Sequence, residues 1–152
     1  MNNKKTSNQN FENQVTGGCA CGSIRFRIKG ELRGVVNCHC DPCRHWTGHF
    51  MAGTSAEIEN FTFESDSTLT WWNRTEEVKY GFCSNCGSSL FWEDRGRDKT
   101  RAITAGTLDP PTGLKTVLNI FSNLASDYHH LDEAIKTTSG DLPEDKKADR
   151  SN

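Results

Sequence analysis

Seven cysteines are the residues of this chain with the clearest capacity for chemistry. They fall into three tight groups: Cys19-Ala-Cys21, Cys38-His-Cys40-Asp-Pro-Cys43, and Cys83-Ser-Asn-Cys86. Free cysteines are usually scattered through a protein and buried like small hydrophobic residues. An odd number of cysteines in such clusters favours metal binding over disulfide bonds, with a cysteine redox relay as the alternative.

Two of these cysteine groups have the pattern of a zinc knuckle. In Cys83-Ser-Asn-Cys86 the two thiols lie three residues apart, in Cys19-Ala-Cys21 they lie two apart, and a glycine follows each pair. Two ligands on one tight turn can hold a metal ion, and glycine accepts a backbone conformation that other residues resist. Because a structural zinc site has four protein ligands, the two pairs together predict one closed site that links the start of the domain to its middle.

The remaining three cysteines predict a different kind of site. Cys38, Cys40 and Cys43 lie within six residues, so one turn can present all three thiolates to one metal ion. Three protein ligands leave a fourth position for water or substrate, which is typical of catalytic zinc. His39 points away from its neighbours and is a poor fourth ligand, whereas His45 would close the site and make it structural. We expect two zinc ions per chain, with the second one catalytic and labile.

Alternating hydrophobic and polar residues predict that short β-strands position these cysteines. Ile24, Phe26 and Ile28 face one way along residues 23–29, and charged residues between them face the other, which is typical of a half-buried strand. Eight further strands are predicted, at 34–40, 50–54, 61–64, 69–72, 77–82, 89–93, 101–105 and 116–121. Residues 124–135 are predicted to form one or two turns of helix. The predicted fold class is all-β, a single domain of short antiparallel sheets folded around the zinc sites.

Composition limits the size of the domain and the classes of partner. The chain has 152 residues, which fits one domain, and its polar ends predict disordered tails at 1–14 and 142–152 around a domain at 15–141. A net charge of -2 without a basic block argues against non-specific nucleic-acid binding. We find neither an apolar run of about 20 residues nor an apolar segment after the N-terminal lysines. We therefore expect a cytoplasmic protein without nucleic-acid or membrane partners.

Six segments of the sequence share the pattern of one known family. They are 17–26 (GGCACGSIRF), 37–43 (NCHCDPC), 80–87 (YGFCSNCG), 90–92 (LFW), 105–109 (AGTLD) and 119–121 (NIF). With seven cysteines in this order and spacing, the chain resembles the glutathione-dependent formaldehyde-activating enzymes, whose wider group includes the domain of centromere protein V. The resemblance covers essentially the whole predicted domain.

The resemblance implies a fold, two zinc sites and a reaction. It implies the zinc-binding β fold of the family, with the structural ion held by Cys19, Cys21, Cys83 and Cys86. It implies a catalytic site and catalytic zinc at Cys38, Cys40 and Cys43. The founding reaction of the family joins glutathione to formaldehyde and gives S-hydroxymethylglutathione. A carbon–sulfur lyase-like enzyme that acts on a small thiol, by resemblance glutathione, is therefore implied.

Other functions remain open, because one scaffold can carry different activities. The alternatives are a non-enzymatic zinc-binding module or a carrier of glutathione or another thiol. The chain departs from the family at Asn119, where histidine is frequent, and no dense cluster of arginine and lysine in the sequence marks a site for the carboxylates of glutathione. Arg44, His45 and His49 follow the trio and have either a catalytic or a surface role. The adjacent histidines of residues 128–130 are predicted to lie on the surface.

Overall fold

The computed structural model describes residues 14–143 of the chain. Of the two predicted tails, Gln14, Leu142 and Pro143 fall within this range, and the rest lies outside the described residues. The described part forms one α-helix, α1 (Asp41–Thr47), and eleven β-strands. The strands are β1 (Gln14–Gly18), β2 (Arg25–Lys29), β3 (Val35–Cys38), β4 (Met51–Glu57), β5 (Phe61–Ser65), β6 (Leu69–Asn73), β7 (Val78–Cys83), β8 (Ser89–Asp94), β9 (Thr100–Thr104), β10 (Thr116–Ile120) and β11 (Lys136–Thr137).

The strands form two sheets, which confirms the predicted all-β class. β1, β2 and β5 make a three-stranded antiparallel sheet, and the other strands make an eight-stranded sheet in the order β11-β10-β3-β4-β9-β8-β7-β6. Two pairs of neighbouring strands are parallel rather than antiparallel, since β10 runs parallel to both β3 and β11. No helix of residues 14–143 is long and apolar enough to cross a membrane.

Each of the nine predicted strands overlaps a strand of the structure, but the two-residue β11 and the longer β1 were not predicted. Two glycines at the end of β1 weaken the strand pattern, and packing explains why they are there. A Cβ added at Gly17 would lie 2.7 Å from both the Phe26 ring and the Thr107 carbonyl oxygen. A Cβ at Gly18 would lie 2.2 Å from the Ile24 carbonyl oxygen. Glycine is therefore required where β1 crosses the core.

The helix predicted at residues 124–135 is wrong. This segment contains only turns in the structure, after a short 3₁₀ turn at Ser122–Leu124. Leu124, Tyr128, Leu131 and Ile135 recur at helical spacing, but Leu124 and Tyr128 are exposed in the structure. This face is therefore not buried in a core, and propensity alone cannot stabilise a helix there. The helix of the structure, α1, begins directly after Cys40 and includes Cys43, and Pro42 lies in its first turn, where proline is tolerated.

The main core lies between the two sheets. Phe26 of β2 and Phe91 of β8 are buried, and their ring centroids lie 5.2 Å apart in an edge-on arrangement. Phe61 and Phe63 of β5 contact both of these rings. The aromatic contact joins the three-stranded sheet to the centre of the eight-stranded sheet.

Phe91→Ala should therefore lower the free energy of unfolding by about 3–5 kcal/mol, the usual cost of removing a buried phenylalanine. Chemical denaturation of the metal-loaded protein measures this change. Leu124→Ala is the control, because the Leu124 side chain is 41% exposed and its truncation should cost less than about 1 kcal/mol. Equal losses in the two variants would contradict the placement of the core.

Candidate metal centres and the adjoining cavity

The first cysteine cluster lies where the two sheets meet. Cys19 and Cys21 follow β1, Cys83 is the last residue of β7, and Cys86 lies in the turn after it. All four sulfurs lie within 4.8 Å of one another, with Cys21 and Cys83 3.8 Å apart. A tetrahedral zinc ion with Zn–S bonds of about 2.3 Å requires sulfurs about 3.8 Å apart. The cluster therefore has the donor set and the spacing for one metal ion.

Glycines shape the two turns of this cluster, and hydrogen bonds favour thiolates at its two exposed cysteines, whereas burial raises the pKa of Cys19. The glycines that follow the two pairs, Gly22 and Gly87, have φ angles of +80° and +78°, which glycine adopts without strain. The Ser23 hydroxyl and the Asn85 amide lower the pKa of Cys21 to about 5. The Ser88 hydroxyl lowers the pKa of Cys86 to about 7. The two exposed thiols are thus prepared to lose their protons to a metal ion.

The second cluster lies at the junction of β3 and α1. Cys38 is the last residue of β3, Cys40 is the N-cap of α1, and the buried Cys43 lies inside the helix. The three sulfurs lie within 4.8 Å of one another, and the Cys38 thiol donates to the Cys40 sulfur at 3.3 Å. The sequence predicted a strand as far as Cys40, but the helix is what brings Cys43 back toward the other two sulfurs.

The three thiols of the trio share their protons. Hydrogen bonds from Cys38 and then Cys43 lower the pKa of Cys40 to about 3. The hydrogen bond to Cys40 raises the pKa of Cys38 to about 12. Hydrogen bonds with Cys38 and then Cys40 raise the pKa of Cys43, whose burial adds to the effect. One thiolate is therefore held by two donors. A divalent cation could replace the two donated protons, since metal binding to cysteines releases protons.

Neither candidate histidine belongs to the trio's cluster. His39 is buried, and its Nε2 lies 3.2 Å from Oδ1 of Asn119. His45 is exposed on α1, with Nδ1 2.8 Å from the carbonyl oxygen of Asp41. Among residues 14–143, no histidine or carboxylate joins the three sulfurs as a possible ligand. The described protein thus offers three ligands at this site.

A cavity of about 250 Å³ adjoins the trio. Cys38, Cys40 and Cys43 lie in its wall together with apolar side chains from several strands. These are Val36, Val78, Met51, Ala102 and Ile120, with Phe121 and Leu142 from the segments beyond β10 and β11. Since one water molecule takes about 30 Å³ in the liquid, the cavity has room for several non-hydrogen atoms beyond a one-carbon aldehyde.

Three arginines that the sequence did not single out also line this cavity. Arg33 precedes β3, Arg74 follows β6, and Arg97 lies in the 3₁₀ turn after β8. They come from three distant segments, so no dense basic cluster is visible in the sequence. The fold brings these positive charges to one cavity, although no single segment of the sequence contains them together. Arg44, by contrast, pairs with Asp41 on the first turn of α1 and does not line the cavity.

Asn119 and the remaining histidines lie outside this cavity. Asn119 is buried on β10, and its Oδ1 accepts a hydrogen bond from Asn37 at 3.1 Å. His49 Nδ1 lies 2.9 Å from the hydroxyl of Tyr128, which is 67% exposed. His129 was predicted to lie on the surface, but it is half-buried and its ring stacks on that of His39. Asn119 therefore links β10 to the side chains of Asn37 and His39.

Comparison with known proteins agrees with this arrangement. A crystal structure of a Rhodobacter sphaeroides protein shares the fold, with a TM-score of 0.54 and 21% sequence identity. The similarity covers 64% of this chain and 91% of that one. The family model of the glutathione-dependent formaldehyde-activating enzyme matches residues 14–123, which include both cysteine clusters and the strands around them. The chain therefore belongs to the family of glutathione-dependent formaldehyde-activating enzymes.

Proposed function

We propose that this protein is a zinc-dependent carbon–sulfur lyase-like enzyme that acts on the adduct of a small thiol and an aldehyde. By family the thiol is glutathione, the aldehyde is formaldehyde, and the adduct is S-hydroxymethylglutathione. The observation that carries the proposal is the cluster of three thiols at the wall of a cavity. Since no fourth ligand is found among residues 14–143, a metal ion held here would keep a position for a ligand from the adjoining cavity.

The proposal assigns two zinc ions to the chain. Cys19, Cys21, Cys83 and Cys86 would hold a structural ion, and Cys38, Cys40 and Cys43 would hold the catalytic one. Sets of thiolate ligands favour soft or borderline metals such as zinc over magnesium or calcium. Because these thiols must stay reduced to bind a metal, the proposal also places the protein in a reducing compartment such as the cytoplasm.

The chemistry is an addition in one direction and an elimination in the other. When bound, zinc would lower the pKa of a substrate thiol and hold it beside the carbonyl carbon. A carbon–sulfur bond forms, the carbon–oxygen π bond breaks, and the carbonyl oxygen takes up a proton equivalent to the one that the thiol lost. The apolar walls of the cavity exclude water around the reacting atoms.

Tyr80 is a proton donor of this chain within the same cavity. Its side chain is buried and lines the cavity beside Cys43. Burial raises the pKa of the Tyr80 hydroxyl above its usual value, and the sulfurs of Cys43 and Cys40 add to the shift. The hydroxyl therefore stays protonated at neutral pH and can donate a hydrogen bond to an oxygen that gains negative charge.

Cobalt substitution tests whether a substrate thiol reaches the trio. Protein loaded with Co²⁺ should show a thiolate-to-metal charge-transfer band that changes when glutathione is added. S-methylglutathione should leave the band unchanged, because its sulfur has no proton to lose and is a much weaker ligand. The zinc protein should also form S-hydroxymethylglutathione faster than the spontaneous reaction does.

The two readouts separate the proposed enzyme from the alternatives. A change in the band without any gain in rate would contradict the enzyme and favour a thiol carrier. Neither signal, with metal demonstrably bound at the trio, would mean that the scaffold serves a different small ligand.

A further inference from the structure

Two arginines of the cavity have no ion pair among the described residues: Arg74, which is exposed, and Arg33, which is half-buried. We consider Arg33, because burial makes an unmatched charge more costly. Arg33 lacks a matched carboxylate. It lies between β2 and β3, and its backbone N–H donates to the Ser55 carbonyl oxygen of β4 at 3.3 Å. Its side chain is half-buried and donates from Nη2 to the Gly53 carbonyl oxygen at 3.0 Å. Nε is inaccessible to solvent and has no hydrogen-bond partner among the described residues. The guanidinium is thus held in place by one hydrogen bond, while its Nε–H donor has no acceptor among the described residues.

The two carboxylates that line the cavity are already engaged by Arg97. Oδ2 of Asp141 accepts a hydrogen bond from Arg97 Nη2 at 2.7 Å, and Oδ2 of Asp94 lies 3.9 Å from Arg97 Nε. Burial and then the positive charge of Arg97 lower the pKa of Arg33 to about 10, and Asp141 opposes the shift only in part. The ion pairs of residues 14–143 do not include Arg33.

A partly buried cation without a carboxylate is unfavourable unless a ligand supplies the missing charge. The planar guanidinium matches a carboxylate in shape, with two parallel N–H donors for two oxygens. Apolar side chains, among them Val36 and Met51, line the same cavity between the polar groups. The cavity thus offers a sulfur site at the trio, a cation at Arg33, and an apolar surface for the atoms that join them.

We propose that Arg33 binds a carboxylate of the thiol substrate, so that the cavity selects thiols that carry an acid group. This inference rests on the proposed function, because it requires the substrate sulfur to lie at the trio. Glutathione carries a glycyl carboxylate on one arm and a γ-glutamyl α-carboxylate on the other. A cavity of about 250 Å³ encloses part of such a molecule, so Arg33 binds the carboxylate of one arm.

The test compares glutathione with its diethyl ester, in which both carboxylates are blocked. Isothermal titration calorimetry of the zinc-loaded protein should show that the diester binds about ten- to a hundredfold more weakly, as expected for loss of a hydrogen bond to a charged group. The ratio of the dissociation constant of the diester to that of glutathione should fall at least tenfold in Arg33→Met, and Arg33→Lys should keep part of the wild-type ratio. The glycyl monoethyl ester then identifies which arm Arg33 holds, by whether or not it binds like the diester.

Arg27→Met is the control for a change of net charge. Arg27 lies on the three-stranded sheet and pairs with Glu64, so the ratio should stay at the wild-type value. Equal binding of glutathione and its diester by the wild type would overturn the role of Arg33 and leave the proposed function intact. The same conclusion follows if Arg33→Met keeps the full ratio. Failure of any thiol to bind the zinc-loaded wild type would overturn both proposals.

A second measurement needs no ligand. If Arg33 serves a ligand, Arg33→Met should keep or raise the melting temperature of the ligand-free protein, because it removes an unmatched charge. Arg101→Met is the matched variant of a structural arginine. Arg101 is buried, bonds Glu93 at 2.7 Å and packs on Phe61, so its replacement should lower the melting temperature. An equal loss in Arg33→Met would indicate a structural role and overturn the inference.

Discussion

Cys83→Ser is expected to leave the protein largely unfolded and without its more tightly held metal ion. Cys83 is fully buried at the end of β7, and Cys19, across the cluster from it, is nearly so. The serine hydroxyl does not ionise near neutral pH and is a poor zinc ligand, so the site would lose a ligand that cannot be replaced from solvent. The cluster also joins the start of the three-stranded sheet to the eight-stranded sheet.

The size of the effect follows from comparing two free energies. Structural zinc sites bind their ion with an apparent free energy of about 10–16 kcal/mol at neutral pH. A domain of this size has a net free energy of unfolding of about 5–15 kcal/mol. Only 34% of the residues are hydrophobic, so the core alone leaves little reserve. Loss of most of the metal's contribution should therefore remove most or all of the net stability.

Metal analysis and circular dichroism of the purified variant measure this outcome. Ser84→Ala, which changes the next residue in the same turn, is the control and should keep both the wild-type metal content and a normal melting curve. A soluble Cys83→Ser protein with unchanged thermal stability would refute the structural assignment of this cluster.

The parts of the fold that follow from local pattern could be predicted. All seven cysteines fall into the two clusters that their spacing indicated, since ligands two or three residues apart must share one turn. The nine predicted strands are present because alternation of apolar and polar residues is a short-range signal. The open position at the trio was predicted from the same spacing, and it stays a prediction until metal is measured.

The parts of the fold that depend on tertiary contacts could not be predicted from the sequence. β1 is hidden from the pattern because Gly17 must admit the Phe26 ring. The seven-residue helix α1 is too short to show periodicity, although Pro42 marks its first turn. Arg33, Arg74 and Arg97 come together only because strands distant in sequence are neighbours in space. A sequence search for a dense basic cluster therefore misses the charge of the cavity.

Cys40→Ser, unlike Cys83→Ser, should leave the protein folded. It should abolish the catalysed formation of S-hydroxymethylglutathione, leaving the spontaneous rate, and remove the second metal ion while the protein stays folded. Cys40 is only partly buried. It is the N-cap residue of α1 and does not join the two sheets. Its loss should lower the free energy of unfolding by no more than about 1–2 kcal/mol.

His45→Ala is the control that decides whether the trio is open. The imidazole of His45 is exposed and held by the Asp41 carbonyl oxygen, so its removal should change neither the metal content nor the rate. Loss of the second ion in His45→Ala would mean that the histidine turns to close the site. Collapse of Cys40→Ser as complete as that of Cys83→Ser would make the trio a second structural centre. Because an enzyme of this kind needs a ligand position that the protein does not fill, either result would contradict the proposed activity.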